Sequence, residues 1–297
     1  MALPTFIIAG APKCGTTALW AYLNEHPEVF MTKIKEPRFF SQRYREVSAN
    51  FITPGPEKSA NYNKGIKWYE SLFEPGIHKK ARGEASTHYF YASDSAVLIK
   101  KDLPDVRLIF VLRDPVERLY SHYWQDSKAG INLPCFDYIV DRNNPYLEYY
   151  IYVSSYKIHI ERYLKEFPRN QILILFLSDF RNNPVETFIK VCSFLDIDSS
   201  FIPNVLGIQY NPHRITKSRV LGRVNAFLAH NKITNKWPRY IRAPLGTVKK
   251  FISKLNSRGS TYRPLEKHIR QQLVQIFDGD IKFVESLSGR KLDEWHA

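Results

Sequence analysis

Cysteine is scarce in this chain. Cys14, Cys135 and Cys192 are the only three, and they lie far apart. They make neither a disulfide framework nor a metal cluster, so a reducing, cytoplasmic setting is the expectation. Long hydrophobic runs are missing too: none approaches the roughly 20 residues that span a bilayer. Residues 4–10 have no basic lead and form too short an apolar stretch for a secretory leader, so they read as a first strand. There is no internal repeat and no low-complexity linker. The most informative absence is of acid. Between residues 199 and 265 there is no Asp or Glu, while the same stretch carries thirteen Lys or Arg, from Arg214 through Lys249 and Lys250 to Arg263. The formal charge of +14 is therefore concentrated in a patch, and the rest of the chain is close to neutral. Such a patch predicts an anionic partner, whether nucleic acid, an anionic membrane or a polyphosphorylated nucleotide.

What is present points to a globular α/β protein. Hydrophobic residues make up 44% and charged residues 24% of the 297, enough for a sizeable core. The 19 Phe and 18 Tyr suggest aromatic-lined clefts as well. Short β-rich runs alternate with longer helical patterns, the signature of a parallel sheet covered by helices. Strands are predicted at 5–9, 29–31, 81–85, 106–112 and 171–177. Helices are predicted at 15–25, 65–73, 93–101, 115–127, 147–167, 184–195 and 264–287. The runs 106–112 and 172–176 are almost continuously apolar, as strands buried on both faces should be. The expected fold is a three-layer α/β domain over residues 1–297, a central parallel sheet flanked by helices. A basic insert or lid at about 205–257 would cover the sheet's edge or mouth.

The first strand runs into Gly10-Ala11-Pro12-Lys13-Cys14-Gly15-Thr16-Thr17 and then into a helix. A loop there feeds a helix N-terminus, whose open N–H groups and dipole favour an anion. Gly10 and Gly15 allow close backbone approach, and Thr16 and Thr17 offer hydroxyls. The spacing matches a P-loop, but Thr16 follows the second glycine where an NTPase carries Lys. The lysine is Lys13, inside the loop, which argues against a Mg-dependent kinase. The structural alternative is an ordinary strand-to-helix turn with a solvated lysine.

A second run, Arg113-Asp114-Pro115-Val116-Glu117-Arg118-Leu119-Tyr120-Ser121-His122-Tyr123, also joins a buried strand to a helix, with Pro115 in the first turn. Arg113 offers a planar fork for phosphate and Ser121 a neutral hydrogen bond two turns on. A helix-capping Arg-Asp pair with a surface serine is the plain alternative.

Together the two runs resemble the family of sulfotransferases that use 3'-phosphoadenosine 5'-phosphosulfate (PAPS). Residues Lys13, Cys14, Gly15, Thr16 and Thr17 resemble its 5'-phosphosulfate loop, and Arg113 with Ser121 its 3'-phosphate motif. Lys35-Glu36-Pro37-Arg38-Phe39-Phe40, Gly83-Glu84-Ala85-Ser86 and Gly289-Arg290-Lys291-Leu292-Asp293-Glu294-Trp295 also have counterparts. The likeness is greatest to the heparan sulfate N- and 3-O-sulfotransferase branch and its bacterial relatives. It covers about 4–200 and 257–295, leaving the basic insert outside.

The resemblance implies sulfuryl transfer from PAPS to a hydroxyl or amine, releasing adenosine 3',5'-bisphosphate (PAP) without a metal. Carbohydrate, glycolipid or small polar metabolite acceptors all fit. Positioning and electrostatics dominate such in-line transfers. By resemblance Lys13 is the catalytic lysine at the bridging oxygen, and Glu36 takes the place of the general base. The structural alternative for Glu36 is a salt bridge with Lys33 or Lys35. His88 is the other base candidate, because small-molecule members use a histidine from that region. Ala85 stands where the glycan branch has Lys, leaving one acceptor-side cation unassigned, and Glu84 is expected to orient its neighbours. Arg258-Gly259-Ser260 aligns with a loop that wraps the nucleotide, or is an ordinary turn before a helix. Tyr156 lies on the long helix where family members approach the 3'-phosphate, or belongs to the core. Tyr44, Tyr62, Trp68 and Tyr69 could stack on an acceptor or belong to the core.

Two rival readings stand beside this one: a P-loop nucleotide kinase using ATP, and a non-catalytic anion- or nucleic-acid-binding module built on the basic insert. The insert lacks a metal-ligand pattern or aromatic RNA-reading strand, so no nucleic acid partner is expected. Its contact would be with an anionic acceptor or a membrane surface.

Overall fold

The computed structural model describes residues 2–41, 61–128, 133–140, 145–207, 214–216, 257–259 and 263–297. At its centre, five parallel strands pair in the order β2-β3-β1-β4-β5. They are β1 (Phe6–Gly10), β2 (Val29–Met31), β3 (Ala81–Ala85), β4 (Arg107–Leu112) and β5 (Ile172–Phe176). Every residue of β1 is buried, and so is β4 after Arg107. That is why their apolar runs do not alternate: helices cover both faces of the sheet.

The helices are α1 (Thr16–Glu25), α2 (Ile66–Ser71), α3 (Ser95–Asp102), α4 (Pro115–Lys128), α5 (Phe136–Ile139), α6 (Pro145–Ser154), α7 (Tyr156–Glu166), α8 (Leu177–Asn182), α9 (Pro184–Leu195), α10 (Lys267–Ser288) and α11 (Asp293–His296). Helix α10 buries Ile269, Leu273, Phe277, Ile281 and Val284, a single stripe at helical spacing facing the core.

Strand order places the site. From β1 the chain moves to the β2 edge, returns through β3, and then crosses over β1 to β4 and β5. Order therefore reverses at β1, and a crevice opens at the carboxyl ends of the strands there. The register brings those ends level: Ile8 pairs with both Ala85 and Ile109, and Gly10 with Phe110. The loops after β1, β3 and β4 consequently share one edge. Gly83 is needed for this pairing, because a Cβ on it would lie 2.2 Å from the Phe6 ring.

The predicted helix 147–167 is two helices, α6 and α7, broken at Ser155 (φ −75°, ψ 82°). Ser154 and Ser155 each turn their hydroxyls back onto the carbonyl four residues earlier, Tyr150 and Ile151. That bonding loosens a helix and bends it. The freed Lys157 N–H donates to Asp280 on α10 at 2.8 Å. Two basic-segment strands are described, Arg214–Thr216 (β6) and Ser257–Gly259 (β7), paired antiparallel with Ile215 opposite Arg258. Most of the expected insert, with Ser260 and Tyr44, lies outside the described residues.

Candidate active site

The loop from β1 to α1 is held against the sheet by Ala11 N–H donating to the Val111 carbonyl at 2.9 Å. Gly15 is the N-cap of α1 at φ 92°, a left-handed conformation that glycine adopts without cost. A Cβ there would also meet Leu177 Cδ1 at 2.7 Å. No side chain caps α1, so the Thr16 and Thr17 end of the helix faces the crevice with its dipole uncompensated.

Lys13 is left-handed as well (φ 70°), which is uncommon for a side-chain-bearing residue. Its Nζ donates to Gln125 Oε1 on α4 at 2.6 Å. Cys14 points the other way: its thiol is buried within 3.8 Å of the Tyr156 hydroxyl, and burial pushes its pKa up to about 11. Its side chain therefore belongs to the core, and a nucleotide could meet only its backbone.

The loop after β4 mirrors the first. Asp114 caps α4, with Oδ1 accepting from Val116 N–H at 2.9 Å, and its Oδ2 accepts from Arg270 on α10 at 2.6 Å. Arg113 Nη2 donates to Glu117 Oε2 at 2.8 Å, and the Tyr156 hydroxyl donates to the Arg113 carbonyl at 2.6 Å. Glu117, Ser121 and Gln125 are spaced one turn apart and so share a face of α4. Glu117 holds Arg113 and Gln125 holds Lys13, with Ser121 between them. Both cations picked out in the sequence are thus presented along one helix face.

Behind that face, Arg118 is fully buried. Its fork reaches Ser154 Oγ at 2.6 Å and the Tyr150 carbonyl at 3.1 Å, clamping α6 to α4. Burial and then the Arg118 charge hold the His122 imidazole well below its ordinary pKa. Asp126 moves the other way: burial raises it to about 6 despite a hydrogen bond from Tyr150 and the nearby Lys13.

Across the crevice, the chain leaving β2 runs along the end of β3. Glu36 N–H donates to the Ala85 carbonyl at 3.1 Å, and Arg38 N–H to Ser86 Oγ at 3.1 Å. Glu36 and Arg38 both have positive φ, 55° and 52°. The Glu36 carboxylate gathers Thr87 Oγ1 at 2.9 Å, His88 Nδ1 at 3.0 Å, and Arg38 Nη2 and Nε at 3.2 and 3.3 Å. Burial alone would raise its pKa, but His88, Arg38 and Thr87 outweigh that and hold it at about 2. Its ion partners are Arg38 and His88 rather than the lysines the sequence suggested.

Glu84 lies deeper. It accepts from Tyr69 and Tyr89, both at 2.8 Å, and from Ser86 at 2.6 Å, while burial pushes it up to about 7. Tyr89 in turn accepts from Phe39 N–H at 2.8 Å. Glu84 is thereby the hub that fixes the Glu36-bearing segment. Tyr69 is core, stacked on Phe39 at 4.5 Å, while Tyr62 and Trp68 are half-buried against the same cluster.

Of the expected site residues, Lys13, Thr16, Thr17, Arg113, Ser121, Glu36 and His88 come from four loops and two helices at the carboxyl ends of the strands. Arg258 and Gly259 lie in β7 and Ser260 is outside the described residues. Sequence reading missed Gln125, Arg38 and Arg270, which act through contacts distant in the chain or set by backbone conformation.

A model of the sulfotransferase domain matches residues 3–232. The chain belongs to the sulfotransferase domain family. That match reaches into the basic segment expected to lie outside the resemblance, and stops before 257–295. Among curated relatives, mouse (Mus musculus) heparan sulfate glucosamine 3-O-sulfotransferase 3A1 is 28% identical over 200 residues, covering 66% of this chain and 46% of that protein. Mouse bifunctional heparan sulfate N-deacetylase/N-sulfotransferase 4 is 28% identical over 207 residues, 66% of this chain and 22% of that protein. The chain thus spans less than half the length of these relatives. A crystal structure of a sulfotransferase from Alicyclobacillus acidocaldarius superposes over all of both chains with a TM-score of 0.72 at 24% identity, which establishes the sulfotransferase fold. No described helix is long and apolar enough to cross a membrane.

Proposed function

We propose that this sulfotransferase moves the sulfuryl group of PAPS to a hydroxyl or amine of a carbohydrate, glycolipid or small polar metabolite. The observation that carries the reading is the α4 face: Glu117 holds Arg113, Gln125 holds Lys13, and Ser121 stands between them. A nucleotide with phosphates at both ends fits such a pair of separated cations. Its 5' end meets Lys13 and the α1 N-terminus, and its 3'-phosphate meets Arg113 and Ser121. Arg258-Gly259-Ser260 would close on the adenosine.

The transfer follows from this arrangement. The acceptor oxygen or nitrogen attacks sulfur, and the bond from sulfur to the 5'-phosphate oxygen breaks. The electron pair stays on that oxygen, where the Lys13 ammonium stabilises it. The acceptor's proton goes to the Glu36–His88 pair. Glu36 at about 2 is a weak proton acceptor alone, whereas its bond to His88 Nδ1 turns Nε2 away from the carboxylate. We infer that His88 takes the proton while the Glu36 anion orients the ring and balances its charge, the division of roles seen in carboxylate–histidine pairs.

The acid-free run 199–265 would attract an anionic acceptor or face a membrane surface. We propose a cytoplasmic setting, the expectation from three widely spaced cysteines. The test is nucleotide binding. PAP should raise the melting temperature with EDTA present, by mass action worth about 2.7 kcal/mol at a hundredfold excess over Kd. Stabilisation that demands ATP and Mg²⁺ would overturn the reading in favour of a kinase.

A further inference from the structure

Lys35 is left without a task by the chemistry above, yet its ammonium is not at large in solvent. Its Nζ donates to Thr17 Oγ1 in the first turn of α1 at 2.6 Å, eighteen residues back along the chain. That hydroxyl is its sole hydrogen-bond partner among the described residues, although an ammonium carries three donors. Burial lowers the Lys35 pKa, and the neighbouring Glu36 opposes the change. A bond between exposed side chains contributes little to stability, so holding the two segments together is a poor account of it.

Its position suggests another. Lys13 leaves the phosphate loop toward α4, the side that carries Ser121 and Arg113. Lys35 reaches the same helix N-terminus from the opposite wall, one residue before Glu36, whose N–H is fixed to the Ala85 carbonyl. An anion seated at the α1 N-terminus would lie between the two ammonium groups. The group on the Lys35 side must be the one nearest the acceptor and the Glu36–His88 pair. For a phosphosulfate that group is the sulfuryl.

We propose that Lys35 is a donor-binding residue specific for the sulfuryl end of PAPS, its Nζ passing from Thr17 Oγ1 to a non-bridging sulfuryl oxygen when the donor binds. The inference rests on the PAPS reading above and extends it. Lys13 serves the oxygen that leaves and Lys35 the oxygens that travel, so the enzyme tells the charged donor from the spent one. PAP, which lacks the sulfuryl group, has nothing for Lys35 to hold.

Calorimetric titration of the full chain with PAPS and with PAP, no acceptor present, tests this. Lys35→Ala should weaken PAPS about tenfold or more, the scale of one charge-assisted hydrogen bond, and PAP less than about twofold. Lys35→Arg should keep the PAPS preference within about threefold of the parent. The side chain is exposed, so both variants should fold. Equal losses for PAPS and PAP would reduce Lys35 to a brace for Thr17 and overturn the proposal, as would no loss for either. A parent protein that bound neither nucleotide would overturn the donor reading itself, and the role of Lys35 with it.

Discussion

Replacing Glu36 by Gln removes one charge and little volume, and two separate quantities should respond. The first is stability. The carboxyl ordinarily titrates at 4.5 and here is held at about 2. At 1.36 kcal/mol per pH unit, that difference corresponds to about 3 kcal/mol of folding free energy. The sign is that of a depressed acid: the contribution is fully present above 4.5 and is lost as pH falls toward 2. The parent's melting temperature should therefore drop through that window more steeply than the variant's, by up to one proton's worth of slope. With the side chain 23% exposed, the full value is an upper bound. The second quantity is rate. Without the anion beside Nδ1, the His88 ring loses its orientation and the counter-charge for its proton, so sulfuryl transfer should fall by about 10² to 10⁴ while PAP still binds. If the two residues act as one unit, Glu36→Gln with His88→Ala should cost no more than the worse single change. Fully additive losses would refute the paired mechanism, and a Glu36→Gln enzyme with parental kcat would remove Glu36 from the proton path.

Lys13→Ala should lower kcat by about 10² to 10³ at saturating PAPS, and recovery of full rate by added donor would contradict its leaving-group role. Arg113→Ala should act mainly on KM for PAPS, because the 3'-phosphate keeps its charge throughout; a loss confined to kcat would count against that anchor. A thiol reagent at neutral pH should label exposed Cys135 first, since Cys14 and Cys192 are pushed up to about 11 and about 12. Rapid native-state labelling of Cys14 would mean that its thiol faces the crevice after all. Asp126→Asn should raise the melting temperature at pH 7.5, because a carboxyl raised to about 6 costs folding energy once ionised. The gain should fade as the pH falls through about 6, and a gain that persisted at pH 4 would contradict the burial argument.

The five strands lie within a residue of their predicted bounds; four of them are short apolar runs, whereas Ala81–Ala85 carries Arg82, Gly83 and Glu84. The two anion loops were legible for a related reason. A strand that stops at Gly10 or Leu112 and restarts as a helix is a local pattern, and Lys13 and Arg113 sit inside it. What could not be read depends on distance or on torsion. Gln125 meets Lys13 across 112 residues and Arg270 meets Asp114 across 156. Nothing in the local sequence marks either. The pairing of Glu36 with Arg38 needs two successive excursions to positive φ, at residues 36 and 38, that no composition rule would place there. The break at Ser155 turned on two serine hydroxyls bonding backward, where apolar periodicity alone ran straight through.

The face of α4 acts as a ruler. Eight residues separate Glu117 from Gln125, a rise of about 12 Å along the helix, and that length sets how far apart the two cations are offered. Because the ruler is one stiff element, clamped from behind by Arg118 and capped by Asp114, donor placement cannot be retuned one end at a time. A substitution that tilts α4 moves both anchors together. The opposite wall has no such constraint: Lys35, Glu36 and His88 hang from the ends of β2 and β3. Changes of acceptor can therefore be made on that side without disturbing the α4 grip on the nucleotide, so long as Lys35 is kept. A library aimed at a new acceptor should accordingly leave residues 113–126, Lys35, Glu36 and His88 fixed and vary the rest of the loops beyond β2 and β3.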